Sequence, residues 1–245
     1  MNRRTTVATA RRVLEQLRRD RRTLALLLLV PCLLMALLRW VFDANPRVFD
    51  AVGAGLLGIF PFVTMFLVTS VATLRERTRG TLERLLTMPI GRGDLLAGYA
   101  IAFGLVSIVQ VVLASAVTLG LLGLHVAGAA GLVWLVAVLD ALLGVALGLF
   151  VSAFARTEFQ AVQFMPAVVL PQLLLCGLLA PRDGMAEPLR LLAGLMPLSY
   201  AVDAMQRVTA SARIDGGLVE DLVVIAAFAI VALVGGAATL RRRTP

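Results

Sequence analysis

The chain has 245 residues, of which 60% are apolar and only 16% charged, and its mean hydropathy is +0.92. A water-soluble domain carries charge on about a quarter of its residues, so a soluble fold is excluded. The formal charge of +8 would point to nucleic acid if the arginines lined a polar surface. They cluster instead between apolar runs, which sets a nucleic-acid partner aside in favour of a membrane.

In chain order, residues 1–23 read as an amphipathic helix, with Val7, Ala10, Leu14 and Leu17 on one side and Arg4, Arg11, Arg18 and Arg22 mostly on another. It either lies in the membrane interface with its arginines on anionic lipids or forms a solvated basic tail. Six apolar segments follow at 24–41, 52–74, 95–122, 129–154, 162–180 and 218–240. Each approaches or exceeds the ~20 residues a helix needs to cross ~30 Å of hydrocarbon. The short alternating strands of a barrel are missing, so the expected fold is an all-α integral membrane domain. The first run carries no small-x-small cleavage site before Arg39 and Trp40, and it is therefore read as a span with Trp40 as an interfacial anchor. Of the 23 basic residues, 17 fall before the first span, in the loops after the second and fourth, and in the tail. The positive-inside rule then places both termini in the cytoplasm.

All 23 basic residues are arginine. A P-loop needs a lysine at the terminal phosphates, so any ATP hydrolysis that drives this chain belongs to another one. Cys32 and Cys176 lie within apolar runs and imply no disulfide framework. His125 is the sole histidine, which argues against a histidine-based metal or haem site.

The loop at 75–94 is the most informative stretch. It reads as a helix end, a break at Gly80 and a short second helix, with Thr81 as N-cap, Glu83 near the positive helix end, Leu82, Leu85 and Leu86 on one edge, and Pro89 as the stop. Such a helix fits a groove on a partner, or it forms a loop knot held by pairs such as Arg79–Glu83. Residues 181–217 are too broken by Pro188 and Pro197 to cross the membrane, yet too rich in leucine for a polar loop, so short re-entrant or surface helices are expected there. Asp140 falls near the middle of the fourth span. An intramembrane acid there either ties two helices together or carries a proton.

Glu76-Arg77, Gly80-Thr81-Leu82-Glu83, Leu85 and Pro89 match, position by position, the E-R-x-x-G-T-L-E-x-L-x-x-x-P pattern of type-2 ABC exporter permeases. The run from Met196 to Met205, Met-Pro-Leu-Ser-Tyr-Ala-Val-Asp-Ala-Met, resembles that family's N-P-L-[ST]-Y-x-V-D-x-[LM] stretch, with Met196 in place of the asparagine. The resemblance covers essentially the whole chain, which reads as one permease domain over 1–245. It comprises an interfacial helix at 1–23, six spans within 24–240, a coupling loop at 75–94, an external segment at 181–217 and a cytoplasmic tail at 241–245. It implies a bacterial plasma-membrane permease subunit of an ABC exporter. Its eight matched loop residues would form the coupling helix that docks on an ATPase.

The same resemblance implies two ATPase subunits holding ATP and magnesium, a second permease copy or paralogue, no cofactor in this chain, and an amphipathic substrate such as a drug, lipid or lipid-linked glycan. It places the substrate route between spans two and five, where Phe60, Thr64, Met65, Thr69, Gln163 and Gln172 are the candidates. A proton-coupled secondary transporter using Asp140 is the alternative, although it leaves the loop motif without a role. An enzyme would need a catalytic cluster within the spans, and one acid with one loop histidine does not provide it.

Overall fold

A computed structural model describes residues 3–78 and 91–239. Among the described residues all regular structure is helical. Helix α1 covers Arg3–Arg19, α2 Arg21–Val41 and α3 Pro46–Thr78. Helix α4 covers Arg92–Ser115 and widens into a π turn at Ala116–Leu121, and α5 covers Ala130–Ser152. Helix α6 covers Glu158–Leu175; a 3₁₀ turn at Arg182–Gly184 leads to α7 (Glu187–Gly194), α8 (Pro197–Ala210) and α9 (Gly216–Thr239). Six helices (α2, α3, α4 with its π turn, α5, α6 and α9) are long and apolar enough to cross a membrane. The expected all-α, six-span architecture is therefore present.

The centre of the bundle is the pair α3 and α5, which follow one another in the same direction. Their contacts step by four residues on both helices: Gly58 meets Asp140, Phe62 meets Gly144, and Phe66 meets Gly148. The Gly144-x-x-x-Gly148 spacing removes side chains from one stripe of α5, so the backbone of α3 settles directly on it. A Cβ at Gly144 would lie 2.3 Å from the Phe62 carbonyl oxygen. Phe62, Phe66, Met65 and Leu143 are fully buried around this seam.

Two spans differ in their boundaries from the sequence expectation. Helix α6 begins at Glu158, earlier than the expected span, because the Thr157 hydroxyl caps it by accepting a bond from the Gln160 N–H at 3.1 Å. It ends at Leu175, just before Gly177, whose φ of +91° carries the chain out of the helix. Helix α3 runs beyond its apolar core at both ends, because polar helical turns continue out of the hydrocarbon at no cost to its internal hydrogen bonds.

Helix α1 forms as expected and buries most of the expected face, with Ala10 and Leu17 covered and Leu14 half-buried, but that face is turned towards Thr6, Thr9 and Val13. Thr6, Thr9, Ala10, Val13 and Leu17 are covered, while Val7 is exposed. The cause is α4: a Cβ at Gly98 would stand 2.6 Å from Thr9 Cβ and 2.9 Å from the Thr6 carbonyl oxygen, so the two helices touch through the Thr9 side chain and the α1 backbone. The apolar side of α1 is thus spent on protein packing. Asp20 separates α1 from α2 and caps the latter, accepting from the Thr23 N–H at 3.1 Å and the Thr23 hydroxyl at 2.7 Å. Those bonds hold the Asp20 carboxyl below the usual carboxylate range.

At the opposite end of the bundle, α7 and α8 replace a simple loop. Helix α8 has 14 residues, about 21 Å, and buries Leu198, Val202, Met205 and Val208. Its last turn accepts main-chain bonds from Ala127 and Gly128 in the connection between α4 and α5.

Candidate functional site at the end of the third helix

Successive residues of an α-helix point about 100° apart, so three in a row fan out around the axis. The last turn of α3 uses this with Arg75, Glu76 and Arg77. Each faces a different neighbour. Arg75 forks onto Glu158 in the first turn of α6, Nε and Nη2 donating to the two carboxylate oxygens at 2.9 and 2.8 Å. Glu76 accepts both guanidinium arms of Arg12 on α1, at 3.2 and 2.9 Å, and also the Tyr99 hydroxyl of α4. Arg77 donates to the carbonyls of Ser152, Ala153 and Ala155 at 3.0, 2.9 and 2.7 Å, where α5 ends.

Each bond has a plain chemical reason. The end of α5 leaves carbonyls without helical partners and carries partial negative charge, and a planar guanidinium can reach three of them at once. The first turn of α6 is electropositive, which suits Glu158. Arg12 also donates to the Tyr99 hydroxyl at 3.0 Å, with its Cζ 5.9 Å from the ring centre. Burial works against the Arg12 charge, yet Glu76 and Tyr99 outweigh it and hold that guanidinium above its ordinary pKa. Tyr99 is 2% exposed, so these charge-assisted bonds lie partly out of water, where they are strong.

The hub therefore joins α3 to α1, α4, α5 and α6 immediately before the 79–90 segment. Of the eight loop residues singled out in the sequence, Glu76 and Arg77 belong to it. Gly80, Thr81, Leu82, Glu83, Leu85 and Pro89 lie outside the described residues.

The six candidate pathway residues are not gathered around one opening. Met65, Thr69 and Gln172 are buried within the bundle, and Phe60 and Thr64 are half-buried. Gln163 is exposed, on an outer face of α6 shared with Phe159, Val162, Leu170 and Leu174. Gln172 accepts from the Leu198 N–H at 3.4 Å and donates to the Val168 carbonyl at 3.0 Å, which ties α6 to the start of α8. Asp140 is 1% exposed, and neither of its carboxylate oxygens has a hydrogen-bond partner among the described residues.

Several structural ties escaped the sequence reading. Gln110, an amide inside an apolar run, donates to the Leu27 carbonyl at 3.0 Å and to the Thr64 hydroxyl at 2.6 Å. At the far end, the second motif supplies anchors. The Tyr200 hydroxyl donates to the Gly194 carbonyl at 2.8 Å, Asp203 pairs with Arg182, and Arg207 reaches Asp221 at 3.1 Å and Asp215 at 3.2 Å. The signal for these was the motif itself, whose polar positions recur every three or four residues along α8.

The family described as ABC-2 type transporter matches residues 4–209 of this chain. The chain is 28% identical to the probable multidrug ABC transporter permease YbhS of Escherichia coli K12, over 72% of its own length and 47% of the relative's. It is 29% identical to the inner membrane transport permease YhhJ of the same organism, over 67% of its length and 45% of the relative's. To the linearmycin resistance permease protein LnrN of Bacillus subtilis it is 26% identical, over 81% of its length and 51% of the relative's. The chain thus spans about half the length of these relatives.

Proposed function

The chain belongs to the ABC-2 type transporter family, and on that premise we propose that it is the transmembrane permease subunit of an exporter powered by a separate ATPase. It pairs with a second permease, identical or paralogous, and with two ATPase subunits that bind ATP and magnesium. The termini and the 79–90 segment face the cytoplasm of a bacterial cell, as the arginine bias favours. The substrate is amphipathic, a drug, lipid or lipid-linked glycan. The names of the multidrug and resistance permeases support that class, as does a bundle whose buried polar groups are mostly hydroxyls and amides.

The observation that carries this reading is the fan of Arg75, Glu76 and Arg77. A segment that swings when an ATPase closes on it must pass its motion to the spans. The root of this one is bonded to four other helices within a single turn. On this reading Gly80, Thr81, Leu82, Glu83, Leu85 and Pro89 are the residues that engage the ATPase, and Glu76 and Arg77 carry the displacement inward. Phe60, Thr64, Met65, Thr69 and Gln172 line the route only once the spans have shifted. Gln163 faces the second permease from the outset.

Asp140 favours a second reading, because a buried acid without a partner suits a proton site. Reconstitution in vesicles with and without the partner ATPase separates the two. The permease reading expects ATP-dependent transport that Glu83→Arg abolishes and Asp140→Asn leaves in place. Transport that persists without any ATPase and stops with Asp140→Asn would sink it.

A further inference from the structure

We infer that the elbow between α1 and α2 is a binding site for one anionic phospholipid, its phosphate on Arg22 and one acyl chain along Leu26, Leu29 and Leu33. Four arginines stand within five residues there: Arg18 and Arg19 close α1, and Arg21 and Arg22 open α2. All four are exposed, and among the described residues none has a carboxylate within ion-pair distance. The neighbouring acids are engaged elsewhere. Glu15 pairs with Arg11 at 2.9 Å, and Asp20 spends both carboxylate oxygens on Thr23. Four arginines less one aspartate leave residues 18–22 with a net charge of +3.

The face that α2 adds to this charge makes the occupant an amphiphile. Arg22, Leu26, Leu29 and Leu33 are spaced by four, three and four residues, so they share one side of the helix within about 60°. That side is open: the three leucines are 65, 55 and 60% exposed, while Leu27, Pro31 and Met35 on the opposite side carry the packing. The same stripe ends at the exposed Trp40, about 27 Å from Arg22 at 1.5 Å per residue, against ~30 Å of hydrocarbon. Arginine and tryptophan both settle at membrane–water interfaces. Arg22 therefore marks the headgroup level of the leaflet on the α1 side, whichever compartment that leaflet faces. Leu33 lies about 17 Å further in, close to the ~15 Å depth of one leaflet. A planar guanidinium forks onto a phosphate, and a chain hanging from that phosphate runs down the leucines to the bilayer midplane. A second copy of this chain is a poor occupant, because a two-fold axis along the membrane normal would bring two such elbows, each of charge +3, against one another.

The test uses the full chain in phosphatidylcholine nanodiscs doped with phosphatidylglycerol that carries a diazirine midway along one acyl chain. The same diazirine on phosphatidylcholine is the reference. After irradiation, adducts on residues 26–33 are counted by mass spectrometry, and the phosphatidylglycerol probe should exceed the reference severalfold. Arg22→Gln should cut that excess roughly fivefold, and adding Arg18→Gln should bring it to the reference level. Arg22→Lys keeps the charge and should retain most of the excess, which separates a lost site from a lost fold. Arg213→Gln, at an exposed arginine between α8 and α9, should change nothing. Equal labelling by the two probes would mean an unselective lipid annulus and overturn the inference. So would an excess that survives the double substitution, cross-links to a second copy in place of lipid adducts, or an excess that vanishes when the partner ATPase is added. The measurement needs neither ATP nor a transported substrate, so its failure leaves the permease reading untouched.

Discussion

Gln110 donates a hydrogen bond to the main-chain carbonyl of Leu27, and that carbonyl lacks a helical donor because Pro31, four residues on, has no N–H. A helix break in α2 is thus repaired by a side chain on α4, which also holds Thr64 of α3. Three spans meet at one amide in a region where water cannot substitute.

Replacing Gln110 by leucine should therefore lower stability by about 1–2 kcal/mol. In a Pro31→Ala background, where the Leu27 carbonyl regains its helical donor, the same replacement should cost less. Thermal unfolding of the two single variants and the double variant in detergent measures the coupling. Equal penalties in both backgrounds would refute the repair.

Arg77→Lys tests the cap on α5. An ammonium offers no planar fork, so most of the bonds to Ser152, Ala153 and Ala155 should be lost, at a cost of about 2 kcal/mol. Transport per ATP hydrolysed should fall with it. An unchanged melting temperature and unchanged transport would show that the three carbonyls find other donors.

Gly144→Ala should destabilise the bundle by about 3 kcal/mol or more, because the added methyl has only backbone to press against. Gly131→Ala, in the same helix but with open space around the new Cβ, should be neutral or stabilising by up to about 1 kcal/mol. Paired unfolding curves decide it, and similar shifts for the two variants would contradict the close α3–α5 contact.

Asp20 gives a pH dependence with a definite sign. Its folded pKa lies below the unfolded value, so its contribution is present above the unfolded pKa of about 4 and is lost as pH falls through the lower folded value. At neutral pH, Asp20→Ala should cost about 1 kcal/mol of α2 stability. The gap between variant and parent should close as the pH drops below 4. Hydrogen exchange at Thr23 reports it, and a gap independent of pH would rule out the charged cap.

The spans could be read from run length because apolar content is a local property, and the structure keeps all six. Their ends could not. The start of α6 depends on whether Thr157 caps, and its end on the backbone angle at Gly177, neither of which hydropathy registers. The face of α1 was read only in part for a similar reason: Ala10 and Leu17 are covered as expected, but threonine scores as polar, and the Thr9 side chain packs, beside the Thr6 carbonyl, against the bare backbone at Gly98. At the candidate site, Glu76 and Arg77 were visible as motif positions, but their partners Arg12, Tyr99 and Ser152 stand 64, 23 and 75 residues away. No local pattern encodes such pairings. Gln163 and Gln172 look alike in the sequence, and only packing separates the outward one from the buried one.

The fan at the end of α3 also restricts the kind of motion open to that helix. Spinning α3 about its own axis would pull Arg75, Glu76 and Arg77 off three different neighbours together, and the stacked backbones at Gly144 and Gly148 would collide with Phe62 and Phe66. Twist is therefore the stiff coordinate and tilt the soft one. A tilt of α3 that carries α1, α4, α5 and α6 with it leaves every one of these bonds in place.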